Sequence, residues 1–266
     1  MSFGITNENV TNSTCYKKFV ESVKTTDMEI QELAVRDSVL KGKFNWLEGK
    51  VLNKMSGKVN PTFMLLRGGA VAILVLVSHR NQDYFLVTEQ LRAPTGGIQR
   101  EAIAGMTDDN GNPFGVAVEE LDQEAGIKVT AADLTKLGSY YSSQGIMDEE
   151  ITCFFMRKEM NDTEIDELTS KLRSADEFEA IRIKMIPATW PSALATRDAK
   201  LISSYAMYLS HLEETKTSEV SQPSLAATQL NSYQLAHLAA MTGATSDNKF
   251  PRSSNVLDEF ESLGGK

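Results

Sequence analysis

Cysteine is nearly absent: Cys15 and Cys153 are the two in 266 residues, far apart and in dissimilar surroundings. A disulfide-stapled secreted scaffold is therefore excluded, and no CxxC or Cys/His spacing marks a zinc site. Both are read as free thiols in a reducing compartment. Histidine is as sparse, and His79, His211 and His237 are too dispersed to form a triad or a metal constellation. Basic runs are short, Lys41-Gly42-Lys43 being typical, while the net charge is −9. Binding a nucleic-acid backbone needs clustered Lys and Arg, so this balance argues against nucleic acid as the partner. A small polyanion remains compatible, because a bound cation can supply positive charge locally. The longest apolar run, Ala70 to Val77, is too short to cross a bilayer. Met1 to Glu8 lack the charged and apolar regions of a secretory signal. The glycosylation-like triplets Asn9-Val10-Thr11 and Asn12-Ser13-Thr14 are thus expected to be coincidental. The expected location is cytoplasmic, with an organelle left open. Neither a dinucleotide fingerprint nor a P-loop is present, which removes oxidoreductase and kinase readings.

What is present is enough apolar residue, 41% of the chain, to bury a sizeable core. Residues 1–13 are polar and expected to be disordered. Tyr16, Phe19, Val20 and Val23 fall at helical spacing, with Thr14 as candidate N-cap. Residues 27–57 read as short strands, so 14–60 form an N-terminal arm. Phe63–Leu66, Ala70–Ser78 and Tyr84–Glu89 read as strands, and Val71–Val77, apolar on both faces, as a central buried one. A helix is expected over 114–125 with Gly126 at C′, strands over 137–141 and 151–157, and a helix over 163–172 capped by Thr163. A half-buried strand over 179–186 and an amphipathic helix over 196–212 follow. Residues 61–214 then make the principal domain, an α/β sandwich. From 215 onward the chain is a polar tail, with a Ser/Thr-rich linker and apolar faces at 225–241 and 256–263.

One constellation carries chemistry. Glu120 and Glu124 lie one helical turn apart, which puts both carboxylates on one face. Like charges held so close repel unless a cation sits between them or one is protonated. Hard divalent cations take oxygen ligands and commonly bridge to substrate phosphates. The helix follows the loop Ala104-Gly105-Met106-Thr107-Asp108-Asp109-Asn110-Gly111.

This segment resembles the Nudix box: Gly105, Glu120, Leu121, Glu124, Gly126 and Ile127 match at the family's spacing. Three positions depart. Gly111 stands at the first glutamate, Glu119 at the arginine, and Gln123 at one of the paired glutamates. Glu89-Gln90-Leu91-Arg92, Glu101-Ala102-Ile103-Ala104-Gly105-Met106 and Ser143-Gln144-Gly145 followed by Asp148-Glu149-Glu150 resemble flanking segments of ADP-sugar pyrophosphatases. Arg67-Gly68-Gly69-Ala70-Val71-Ala72 is similar to the first core strand of the plant plastid type.

The resemblance implies a Nudix-type α/β/α sandwich with a mixed sheet, plus an N-terminal arm of helix and short strands. It implies Mg2+-dependent hydrolysis of a nucleotide sugar, with Mn2+ as an alternative ion, an ADP-sugar giving AMP and a sugar 1-phosphate. Glu120, Glu124 and the Ala104 carbonyl would be metal ligands, with Gln123 offering at best a neutral carbonyl. Glu149 would serve as the water-activating base, with Glu150 as alternative and Glu120 as part of the catalytic set. Arg92 would grip substrate phosphate, and Glu101 and Gln144 would also bind substrate. A homodimer through the N-terminal strands is implied. The competing reading is a catalytically silent Nudix fold that binds nucleotide sugars or a protein partner, as the three departures would suit.

Overall fold

A computed structural model describes residues 3–107, 112–173 and 180–221. The altered box position Gly111 and the tail segments 225–241 and 256–263 lie outside the described residues. Two compact units divide the chain, Met1–Glu214 and Thr215–Lys266.

The chain begins with helices α1 (Glu8–Asn12) and α2 (Thr14–Lys24). The expectation of disorder over 1–13 is corrected from Asn7 onward: Asn7 caps α1, and Val10 is fully buried. The cap of α2 is Ser13, one residue before the expected Thr14; its side chain accepts from the Tyr16 amide. Strands β1 (Met28–Val39), β2 (Phe44–Asn53) and β3 (Lys58–Leu66) then form an antiparallel three-stranded sheet. Its inner face, with Leu47 and Leu66, packs on Val10, Tyr16 and Val20 of the helices. Phe63–Leu66, expected within the principal domain, is the end of β3 and belongs to this N-terminal sheet.

Strands β4 (Ala70–His79) and β5 (Gln82–Arg92), β6 (Gly97–Glu101), β7 (Ile103–Met106), β8 (Thr135–Tyr141), β9 (Glu150–Glu159), β10 (Leu172–Arg173) and β11 (Ile181–Pro187) build the second sheet. Its order is β10-β11-β5-β4-β9-β8, with β6 on β5 and β7 on β4. It is mixed: β4 and β9 run parallel, and the other pairs are antiparallel.

β4 shows why both faces must be covered. Val71, Ile73, Val75 and Val77 face helix α3 (Pro113–Glu120) and its continuation, contacting Val116, Ala117 and Leu121. That layer also holds Leu168 of helix α4 (Asp162–Thr169). Leu74 and Leu76 point the other way, onto Ala193 of helix α5 (Trp190–Thr196) and Leu201 and Tyr208 of helix α6 (Ala199–Ser221). Strand side chains alternate between faces, so an unbroken apolar run belongs only between two helical layers. The result is the expected α/β/α sandwich.

Other boundaries moved. Asn161, not Thr163, caps α4, in a reciprocal arrangement with Glu164. The helix expected over 196–212 begins at Ala199 as α6; before it stands α5, which was not expected, and Arg197 in a left-handed conformation (φ 60°) separates the two. α6 continues as helix to Ser221, into the stretch expected to be a linker.

Candidate active site

The helix that carries the paired glutamates is built to press on β7. After Glu120 the α-helix widens into a π-turn over Leu121–Ala125 and ends at Gly126, whose left-handed φ of 66° lets its amide close back onto the Asp122 and Leu121 carbonyls. Such π-turns often mark functional sites. Glu124 is buried, and its Oε2 accepts a hydrogen bond from the Ala104 amide at 3.3 Å. Glu120 lies directly over Gly105: a Cβ at that glycine would run into the Glu120 carboxylate. The two acids thus meet adjacent residues of one strand, as their spacing predicted. Gln123 does not join them. It is exposed beside the buried Glu124. The Glu119 that replaces the family's arginine is exposed as well.

On the other side of β4, at the same end of the sheet, stands the acidic loop. Val71 pairs with Gly105 of β7 on one edge and with Thr152 of β9 on the other. The strand starting at Glu150 is therefore two strand spacings from Gly105, about 10 Å. The loop's three acids have separate employments. Asp148 accepts from the amides of Arg67 (2.7 Å) and Gly68 (3.1 Å), fixing the entry to β4. Glu149 turns inward, is buried, takes the Ser142 hydroxyl on Oε2 at 2.6 Å and pairs with Arg67 Nη1 at 2.9 Å. Glu150 is exposed and accepts from the Ser139 hydroxyl. The loop also leans on the N-terminal sheet, where the Leu65 amide donates to the Ile146 carbonyl at 2.8 Å. Gln144 lies on its exposed turn.

Arg92 and Glu101 sit together but not as expected. The guanidinium fork read as a phosphate clamp is closed on Glu101, Nε to Oε1 at 2.7 Å and Nη2 to Oε2 at 2.9 Å. A buried carboxylate needs cationic partners, and Lys200 Nζ supplies a second at 3.0 Å. Burial pushes the Glu101 carboxyl up, but the Arg92 hydrogen bonds and the Lys200 charge outweigh it and hold it below its ordinary range. Lys200 also meets Asp198 at 3.0 Å, and Asp198 accepts from the Ala102 amide at 2.8 Å. Arg67, Ser142, Asp198 and Lys200 were invisible as site residues in the sequence. Their partners are distant along the chain, and no local spacing announces them.

Among the described residues, no group of three His, Cys, Asp or Glu side chains converges as a self-sufficient metal cage. Two carboxylates set against one strand form an open, oxygen-only donor set. That set fits a hard divalent ion whose remaining ligands are water and phosphate oxygens.

Comparison with known proteins bears on the family and the fold. No family model matches the chain. It is 32% identical over 199 residues to Nudix hydrolase 14, chloroplastic, of Arabidopsis thaliana, covering 68% of this chain and 63% of that protein. The chain thus spans somewhat less than two thirds of this relative's length. It is 26% identical over 178 residues to the ADP-ribose pyrophosphatase of Bacillus subtilis, covering 67% and 86% respectively. The crystal structure of an ADP compounds hydrolase superposes with a TM-score of 0.53 at 14% identity, over 71% of this chain and 96% of that one.

The chain belongs to the Nudix superfamily. Within that fold, the β7–α3 unit holds the segment that resembles the Nudix box, and its helix keeps Glu120 and Glu124 on the strand despite Glu119 and Gln123. No described helix of this Nudix chain is long and apolar enough to cross a membrane.

Proposed function

We propose that this Nudix protein hydrolyses the diphosphate bond of a nucleotide sugar of the ADP-ribose or ADP-glucose type, releasing a nucleoside monophosphate and a sugar phosphate. The observation that carries the reading is the placement of Glu120 and Glu124 against Gly105 and Ala104. A divalent ion, Mg2+ or Mn2+, bound there would neutralise charge on the diphosphate as it is cleaved. Glu120, Glu124 and the Ala104 carbonyl would hold it, while the exposed Gln123 would not. Glu149 is the base of choice over Glu150, because Arg67 and Ser142 fix its carboxylate and a base acts only when held in reach of its water. Arg92 could meet phosphate only by releasing or sharing Glu101, so both act chiefly as a paired wall of the site. The names of the two relatives, one an ADP-ribose pyrophosphatase, support the substrate class.

The test is turnover of ADP-ribose, ADP-glucose and UDP-glucose by the full chain across graded Mg2+ and Mn2+. Activity that Glu124→Gln depresses about 100-fold or more supports the reading. Binding without turnover of any of the three would favour the silent Nudix fold, for which Glu119 and Gln123 speak. We further propose a homodimer through the N-terminal sheet. An intracellular reducing compartment completes the proposal; Cys15 and Cys153 are buried free thiols, compatible with it.

A further inference from the structure

Beside the box lies a cavity of about 310 Å3, at the lower end of the size range for small-molecule sites. Segments distant in sequence wall it: the start of α2, the turn after β1, Arg67–Gly69, and Met106–Thr107 at the end of β7. Lys18, Lys41, Lys43 and Arg67 line it, against one carboxylate, Glu8. In a chain of net charge −9 this is a local inversion of sign.

The three lysines carry no ion pair. Lysine ion pairs among the described residues involve Lys24, Lys50 and Lys200, leaving Lys18, Lys41 and Lys43 without one. Arg67 gives Nη1 to Glu149, but its Nε is buried with no hydrogen-bond partner. The turn that presents two of the lysines is held in an unfavourable shape. Leu40 and Lys41 both have left-handed φ, 49° and 56°, each costing on the order of 1 kcal/mol or more. Asn45 pins that turn to the head of α2, its Nδ2 donating to the Gly42 carbonyl at 2.7 Å and to Ser13 Oγ at 3.2 Å. A Cβ at Gly42 would collide with the Asn9 carbonyl, so α1 and the turn are in direct contact. The lysine bases are thus fixed by the fold, and the positive end of α2 opens on the same space.

We propose that this cavity binds the phosphate groups of a small phosphorylated ligand, with Lys18, Lys41, Lys43 and Arg67 as its cationic wall. The choice of phosphate over another anion rests on the diphosphatase reading, since the cavity reaches Thr107, two residues beyond the Gly105 that bears Glu120. The phosphate belongs either to the substrate itself or to a separate phosphorylated metabolite.

Inorganic pyrophosphate is the probe, titrated calorimetrically into the full chain in EDTA, where no divalent ion can recruit it to the glutamates. Wild type binds, and affinity falls with added salt. Lys18→Gln/Lys41→Gln/Lys43→Gln, all exposed positions, weakens binding at least about tenfold while the melting temperature stays close to wild type. Glu124→Gln binds as wild type does, which separates this site from the hydrolytic one: a wild type that binds pyrophosphate but turns over none of the three nucleotide sugars refutes the hydrolase reading alone. Displacement of pyrophosphate by ADP-ribose in EDTA assigns the phosphate to the substrate, and independent binding of both assigns it to a second metabolite. Undiminished binding by the triple lysine variant, or none by wild type, overturns the proposal.

Discussion

Arg67 Nη1 stands 2.9 Å from Glu149 Oε1, and this pair joins the entrance of β4 to the acidic loop before β9. Both side chains are mostly shielded, at 24% and 11% exposure, so the contact escapes most of the screening that weakens surface pairs. Removing the cation leaves a buried carboxylate held only by Ser142. Arg67→Met should therefore cost about 2 kcal/mol of stability. With Glu149 as the base, kcat should also drop about 10- to 100-fold through misplacement. Arg67→Lys should restore most of the stability and less of the turnover, because a point charge does not reproduce the planar fork. Steady-state kinetics beside urea melts checks both halves, and an unaltered kcat in Arg67→Met would remove Glu149 from the mechanism.

Gly105 offers a cleaner probe of the metal hypothesis. Its missing Cβ is the space in which the Glu120 carboxylate lies. Gly105→Ala must displace Glu120, yet the displaced atoms end a flexible side chain, so the fold should lose no more than about 1 kcal/mol. The Mg2+ concentration for half-maximal turnover should rise about tenfold or more. An unchanged metal requirement would show that Glu120 is not a ligand.

These residues also show what the sequence could and could not disclose. The facing of Glu120 and Glu124 was legible because it depends on local helical periodicity. β4 was legible because an unbroken apolar run suits only a strand covered on both sides. β1 was read as short strands because two irregularities, at Ile30/Glu32 and Val35/Asp37, interrupt its alternation. Helix caps slipped where capping types adjoin, as in Ser13-Thr14 and Asn161-Asp162-Thr163, since each can accept an amide hydrogen bond. The break at Arg197 had no glycine to signal it. The pairs Arg67–Glu149 and Lys200–Glu101 come from tertiary packing, and neither partner's neighbours encode the other.

Lys200 gives a pH-dependent prediction. Burial pushes its ammonium down, but the charges of Asp198 and Glu101 prevail and raise it above the ordinary 10.5. Its contribution to stability is complete below about pH 10.5 and disappears as pH rises through the higher folded value. Glu101 has the opposite sign. Its lowered carboxyl contributes above about pH 4.5, and the contribution is lost as pH falls through the folded value. Lys200→Met should cost about 3 kcal/mol near neutrality, since it strands the buried Asp198 carboxylate and leaves Glu101 with Arg92 alone. The gap between wild type and variant should narrow in acid, where the Glu101 carboxyl is neutral, and in strong alkali, where Lys200 is. Denaturation midpoints from pH 3 to 11 would test it, and a gap independent of pH would mean the loss is one of packing.

The N-terminal sheet makes the last prediction. Its inner face is covered by α1 and α2, but the outer face leaves Val39, Trp46, Val59 and Phe63 from 39% to 53% exposed. Trp46 pairs with Leu65 and Glu48 with Phe63, so Trp46 and Phe63 lie on one side of adjacent strands. A contiguous apolar face of this kind is better covered than left in water, and a twofold partner presenting the same face is the commonest cover. Phe63→Glu places a charge in that surface without disturbing the protomer, because the side chain is exposed there. Sedimentation velocity at micromolar concentration should find wild type at twice the 29.3 kDa protomer mass and Phe63→Glu at the protomer mass, with unchanged circular dichroism. Equal masses for the two proteins would move the dimer contact elsewhere or abolish it. Asp148 and Leu65 tie the loop of Glu149 to this same N-terminal region. A monomeric Phe63→Glu should therefore also lose turnover if the partner's sheet steadies that loop, and keep it if each protomer holds its own site.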